Sequence, residues 1–217
     1  MNTVHASGGP HRAPLREGRR VRKEHALREQ IYAAAWSLFD AGNYEAVTMD
    51  SIAAAADVAR GTLYKYFATK EAFIQERFYR DAVERRESSL AHCYRRRSTA
   101  ARLRELLRLD GEYAECMRVY VGPYLQHRLA TVGSNKAAVE RTVFEEIVRG
   151  LLEQGCIDGE IRTHPSVAAL TEHFVFLRIG TLMRWLGSGD VSVIPYFEQM
   201  LDLFLHGVAR MGWNAQE

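Results

Sequence analysis

The chain is expected to be all-α: a small three-helix unit near the N-terminal end, then a larger helical bundle, about nine helices in all. Three observations predict this. Apolar residues recur at three- and four-residue spacings through most of the 217 residues, and no stretch of useful length alternates as a strand would. The breaks between periodic runs are short and carry Gly, Pro, Ser, Thr or Asn. A composition of 47% hydrophobic and 26% charged residues is that of a globular chain with a core to bury.

Residues 1–23 hold five Arg and one Lys against one Glu, with Gly, Pro and His between them. Such a composition buries no core, so residues 1–22 are expected to form a disordered basic arm, either a solvated tail or a segment that touches DNA phosphates or the minor groove. The first helix is expected from about Lys23 to Ala41, with Ile31, Ala35, Leu38 and Phe39 on one face and Gly42-Asn43 ending it. Thr48 suits the N-cap of the second helix, Asp50 in its first turn suits the helix dipole, and Ile52 and Ala56 point inward. Asp57 stands where the chain must reverse and is expected in a left-handed conformation, with Val58 as the apolar plug beneath the turn.

A short third helix is expected over Ala59–Phe67, and a fourth from Lys70, capped by Thr69, to about Arg96. Further helices are predicted near 99–109, 111–131, 135–154, 166–187 and 194–211, separated at Ser98-Thr99, Gly133-Ser134, Gly155 to Pro165 and Gly187 to Ser192. The domain division is then 1–22, 23–69 and 70–217. There are no internal repeats. Arg95-Arg96-Arg97 reads as the solvated, dipole-compatible end of the fourth helix.

Two short helices joined by a tight turn can place the second in the major groove of DNA. In the third helix Leu63 and Phe67 define the inward face; Gly61, Thr62 and Lys65 point away from it, and Arg60 leads at the N-terminal end. An Arg reaches guanine O6 and N7 bidentately, worth roughly 1–3 kcal/mol of discrimination. Gly61 lets the backbone approach closely. Thr48, Tyr64, Tyr66 and Lys70 are placed to donate to phosphates, contacts that orient without reading sequence; Lys70 stands at a helix N-terminus, which favours a phosphate on its own account.

The run Val58-Ala59-Arg60-Gly61-Thr62-Leu63-Tyr64-Lys65-Tyr66-Phe67-Ala68-Thr69-Lys70-Glu71-Ala72-Phe73 resembles the signature of TetR-family transcriptional regulators, and the likeness is strong over about residues 24–75. The resemblance implies base contacts from Arg60, Gly61, Thr62 and Lys65 and phosphate contacts from Thr48, Tyr64, Tyr66 and Lys70. It departs at Ala59, where many members carry a capping Ser or Thr, a loss of about 1 kcal/mol. It departs also at Asp50, where some members use a basic residue; Asp50 is not counted as a contact.

The function expected on this basis is a sequence-specific DNA-binding regulator, a ligand-responsive homodimeric repressor on a palindromic operator. So short a reading helix needs two copies related by a two-fold axis. The alternative is a DNA-binding protein under the control of a protein partner, or an architectural factor, with no small-molecule effector. The resemblance places the dimer interface on the last two long helices, where Leu170, Phe174, Leu177 and Thr181 share one stripe and Phe197, Leu201, Phe204 and Val208 another.

The resemblance also implies a small molecule inside the bundle. The stripe Tyr113, Cys116, Met117, Tyr120, Tyr124 and His127, beside a helix kinked at Pro123, suits bundle core with hydroxyls at its rim; it also suits a pocket for a small apolar or aromatic effector. His173 and Phe176, with Trp185, are further pocket candidates. No cofactor, metal site or membrane partner is expected. Three scattered cysteines without CxxC spacing, no apolar leader and no long apolar run point to a cytoplasmic protein. An enzyme is not expected, because no phosphate loop, HExxH, nucleophile elbow or calcium loop occurs.

Overall fold

A computed structural model describes residues 14–42, 44–131 and 142–207. Among the described residues there are nine α-helices, one 3-10 turn over Tyr44–Ala46, and no strand: α1 (Pro14–Ala41), α2 (Met49–Ala55), α3 (Arg60–Tyr66), α4 (Lys70–Tyr94), α5 (Thr99–Cys116), α6 (Arg118–Thr131), α7 (Val143–Ile157), α8 (Val167–Ser188) and α9 (Ile194–His206). They divide into two compact units that meet in sequence between Phe73 and Ile74.

The first unit is built around an aromatic cluster. Ile31, Ala35, Trp36 and Phe39 of α1 are buried with Tyr44, Ile52, Ala53, Ala56, Leu63, Phe67 and Phe73. Phe67 and Phe73 stack with ring centroids 3.9 Å apart, and Phe39 meets Tyr44 and Phe73 at 5.2 and 6.3 Å. The helix α1 begins at Pro14, nine residues before the start expected from the sequence. Proline is a favoured first helical residue. The charged run that follows also supports a helix: Arg20 pairs with Glu24 four residues on, and the Arg22 guanidinium donates to the Gly18 carbonyl. The expected disordered arm is thereby corrected over 14–22, and residues 1–13 lie outside the described residues.

In the second unit α5 lies against α9 and α7, α8 packs on α7 and α9, and α6 on α8. The core holds Leu103, Leu107, Val148, Leu151, Leu152, Phe174, Leu182, Trp185, Phe197 and Leu201, with Phe78, Ala82 and Leu90 of α4 packed against it. Caps follow the sequence. Thr142 and Glu145 form a reciprocal capping box on α7, and Ser98 and Ser166 cap α5 and α8. Gly189, at φ 79°, closes α8 in the left-handed conformation.

Gly155, expected to open a break, and Gly111, where a new helix was expected to start, are packing points. A Cβ on Gly111 would lie 2.5 Å from Ile194 Cδ1, and one on Gly155 would lie 2.6 Å from Thr99 Oγ1. So α5 runs through Gly111 to Cys116, and α7 runs through Gly155 to Ile157. The interruption expected near residue 110 falls at Met117, the C-cap of α5, and Pro123 stands inside α6. The predicted break at Gly133-Ser134 lies outside the described residues.

Of the arginine run after α4, Arg96 is tied down. It pairs at 2.8 Å with Glu105, a buried carboxylate of α5 that Arg108 also meets at 2.6 Å. Hydrogen bonding from Arg108 first, then Arg96, holds the Glu105 carboxyl down at about 2. No helix among the described residues is long and apolar enough to cross a membrane.

Candidate nucleic-acid interface

The turn between α2 and α3 is set by hydrogen bonds the backbone leaves open at the end of a helix. Val58 N–H donates to the Ala53 carbonyl at 3.0 Å and Asp57 N–H to the Ala54 carbonyl at 3.1 Å, the two bonds of a Schellman ending. That ending needs a left-handed residue, and Asp57 has φ 50° as expected. The Ala56 carbonyl accepts from Gln30 Nε2 of α1 at 2.8 Å, which anchors the turn to the first helix.

At the other end of α2, Thr48 Oγ1 accepts from Ser51 N–H at 3.1 Å while Ser51 Oγ accepts from Thr48 N–H at 3.0 Å. The expected cap is present and reciprocal, and the Thr48 hydroxyl still has its own proton to donate.

The helix α3 is seven residues long and its N-cap, Ala59, offers no side-chain bond, the weakness foreseen in the sequence. It is held by its inward residues: Leu63 is fully buried, Phe67 is 2% exposed, and the Arg28 guanidinium lies 4.9 Å from the Phe67 ring. Arg60, Gly61, Tyr64 and Lys65 are exposed and Thr62 and Tyr66 half-buried on α3, while Thr48 caps α2 and Lys70 opens α4. Each cation there has an internal partner. Arg60 Nε lies 2.7 Å from Asp50 Oδ1, Lys65 Nζ lies 4.0 Å from Glu24, and Lys65 also sits 5.5 Å over the Tyr66 ring.

The Lys70 ammonium donates to the Tyr44 carbonyl at 2.9 Å and sits 4.2 Å over the Tyr44 ring. Lys70 therefore ties α4 to the 3-10 turn while standing at a helix N-terminus. Sequence reasoning missed Gln30, Ser51 and Tyr44 and set Asp50 aside. Of these only Ser51, three residues after Thr48, gave a local signal.

The pocket stripe does not lie on one helix. Tyr113 and Cys116 belong to α5, Met117 is the junction, and Tyr120, Tyr124 and His127 belong to α6. Tyr113 donates to Asp81 at 2.7 Å under the Arg85 guanidinium, and Tyr124 stacks on Phe78 at 4.4 Å. Burial raises the Tyr124 hydroxyl's pKa. Beside them Arg178 of α8 forms a two-pronged pair with Asp110 of α5, both bonds 2.7 Å, and lies 4.4 Å over the Phe144 ring. Burial works against the Arg178 charge, and Asp110 more than restores it.

His173 and Phe176 are corrected as interior pocket residues. They face outward on α8 and line an open groove of about 370 Å³ with Leu177, Gly180, Thr181 and Arg184. The expected dimer stripes are corrected in part for the complementary reason. Phe174, Phe197 and Leu201 are buried within the bundle's own core, Leu170, Thr181 and Phe204 are half-buried, and Val208 lies outside the described residues. The large apolar residues that α8 leaves exposed are Phe176 at 60%, Leu177 at 42% and Met183 at 52%, and of these Leu177 alone belongs to the stripe first drawn.

Residues 31–76 match the family model described as bacterial regulatory proteins, tetR family. The chain is 28% identical over 191 residues to the HTH-type transcriptional repressor KstR2 of Rhodococcus jostii, spanning 84% of this chain and 91% of that protein. The fold is that of the FadR transcriptional repressor of Thermus thermophilus in its complex with lauroyl-CoA, at a TM-score of 0.72 and 23% identity over 88% of this chain and 99% of that one. It is shared by the regulator FadR of Bacillus subtilis in its complex with stearoyl-CoA, at 0.62 and 20% identity over 83% and 99%. With its helices, its turn and its matched motif in place, residues 31–76 carry the DNA-binding region described for the tetR family of bacterial regulatory proteins, and the chain as a whole is similar to transcriptional repressors of that kind.

Proposed function

We propose that the protein is a cytoplasmic, ligand-responsive homodimeric repressor that reads a palindromic operator with α3 and is released by an acyl-CoA or a similar apolar effector. The observation that carries the DNA half is the exposed side of α3, with Arg60, Gly61, Thr62 and Lys65 presented to bases over the buried pair Leu63 and Phe67. Phosphates are met by Thr48, Tyr64, Tyr66 and Lys70. Dimerisation is supported by the apolar face of α8, because contiguous exposed hydrophobic residues on a single chain mark an interaction surface. Two copies then place two reading helices on successive major grooves.

The effector reading is supported by the two FadR structures, each holding an acyl-CoA. It is supported too by the aromatic and charged interior of the second unit, where Phe78 stacks on Tyr124 and Arg178, paired with Asp110, lies over the Phe144 ring. The domain roles follow: residues 23–69 bind DNA, and residues 70–217 sense and dimerise.

The test is a gel-shift series on the full chain. Arg60→Ala and Lys65→Ala weaken operator binding and relax base preference. Lys70→Ala weakens binding to all duplexes alike and lowers the slope of log K against log salt by about 0.9. Unchanged affinity and slope in all three variants would refute the DNA assignment. For the effector half, acyl-CoAs of graded chain length should raise the melting temperature and release the operator. A panel that does neither removes the acyl-CoA reading.

A further inference from the structure

Asp50 is an acidic side chain on a face that meets a polyanion. It lies in the first turn of α2, and the turn brings it to Arg60, the first residue of α3, with Nε and Oδ1 2.7 Å apart. Both side chains stay open to solvent, 66% exposed for Arg60 and 59% for Asp50. An exposed pair adds little to the stability of the free protein. In a DNA groove the same carboxylate repels phosphate and costs affinity. What it can offer in return is direction. Arginine presents its donors in a rigid planar fork, so a partner on the inner nitrogen restricts where the two outer nitrogens aim, and these are the ones that guanine O6 and N7 engage. Lys65 and Glu24 make the contrast. They stand 4.0 Å apart, and an ammonium on a flexible stem has no fork to aim.

We infer that Asp50 is a positioning residue that fixes the Arg60 guanidinium and so sets the base preference at the pair Arg60 reads, at the cost of weaker overall attraction to DNA. This rests on the assignment of Arg60 to a base contact. Specificity is a difference of affinities, and a group that lowers affinity for every sequence, but less for the right one, raises it.

The test uses full-length protein, a duplex selected by the wild type from a random library, and duplexes changed at each position of one half-site. Arg60→Ala flattens the preference at one base pair. Asp50→Ala reduces the preference at that same pair by roughly three- to tenfold while binding to non-specific duplex tightens. Added to Arg60→Ala, it changes the preference no further. Asp50→Asn loses the charge but keeps an acceptor oxygen and the shape of the first turn. It retains more of the preference than Ala, and it carries the test if Asp50→Ala does not fold.

A helix-dipole role alone would scale binding to all duplexes equally. If both Asp50 variants leave every preference ratio unchanged while Arg60→Ala flattens one position, the inference is wrong and the reading of Arg60 stands. If Arg60→Ala flattens no position, the base-contact reading fails and the inference falls with it.

Discussion

Adding one methyl group to Gly155 should destabilise the protein, although alanine is the better helix former. A Cβ there would sit 2.6 Å from Thr99 Oγ1, 2.9 Å from Thr99 Cγ2 and 2.7 Å from Ile161 Cγ1. Thr99 is fully buried, so its side chain has nowhere to retreat. Overpacking costs about 1–3 kcal/mol, and three close atoms on two residues place this site at the upper end. Replacing a helical glycine by alanine returns about 1 kcal/mol. The net is a loss of about 2 kcal/mol, or about 4–8 °C in melting temperature for a chain of this size.

Gly150, on the same helix α7, supplies the internal comparison, because a Cβ there meets nothing within 4 Å. Gly150→Ala should gain about 1 kcal/mol. Urea unfolding at one fixed protein concentration measures both, since association makes apparent stability depend on concentration. Opposite signs are expected. Two variants that move the midpoint in the same direction would refute the packing explanation for Gly155 and for the uninterrupted course of α7.

Other expectations concern a cap, a buried pair and a carboxylate. Ala59→Ser supplies the missing N-cap of α3 and should add about 1 kcal/mol in the same unfolding assay. Asp110→Ala strands the buried Arg178 charge and should cost about 3–5 kcal/mol, whereas Asp110→Leu with Arg178→Met should cost far less. The Glu105 carboxyl is depressed from 4.5 to about 2 in the folded state, so its contribution is fully present above pH 4.5 and disappears as pH falls towards 2. Acid titration of stability should therefore show a loss on the order of 2 kcal/mol over that window, damped because Arg96 and Arg108 reach solvent. That loss should be absent in Glu105→Gln.

Much of the first unit was legible because its signals are local. The inward pair Leu63 and Phe67, the left-handed Asp57, the Thr48 cap and the uncapped Ala59 each follow from residues within a turn of one another, and each stands in the structure as read. What was not legible depends on partners distant in sequence. Gly155 looks like a stop, because a glycine that ends a helix and one that admits a neighbour are the same residue; only Thr99, 56 positions earlier, tells them apart.

The α8 face shows the same limit. Leu177 and Phe174 are three residues apart on one apparent stripe, yet neighbouring helices bury Phe174 and leave Leu177 in the open. Lys70 was read from its place at a helix start, while its partner Tyr44 lies 26 residues earlier. The residues assigned to bases were found from a motif, and the pairing of Asp50 with Arg60 was visible only in the fold.

The way α3 is held has a consequence for how the protein can change over generations. Its order comes from Leu63 and Phe67 below and from the Schellman turn behind, and Arg60, Gly61, Tyr64 and Lys65 are left outside that support. On the proposed assignment of these residues to bases, substitutions on the outer side would alter which DNA is preferred with little effect on folding. On that assignment a lineage carrying this scaffold would acquire a new DNA preference in single steps, while drift at Leu63 or Phe67 would remove the support of α3 itself.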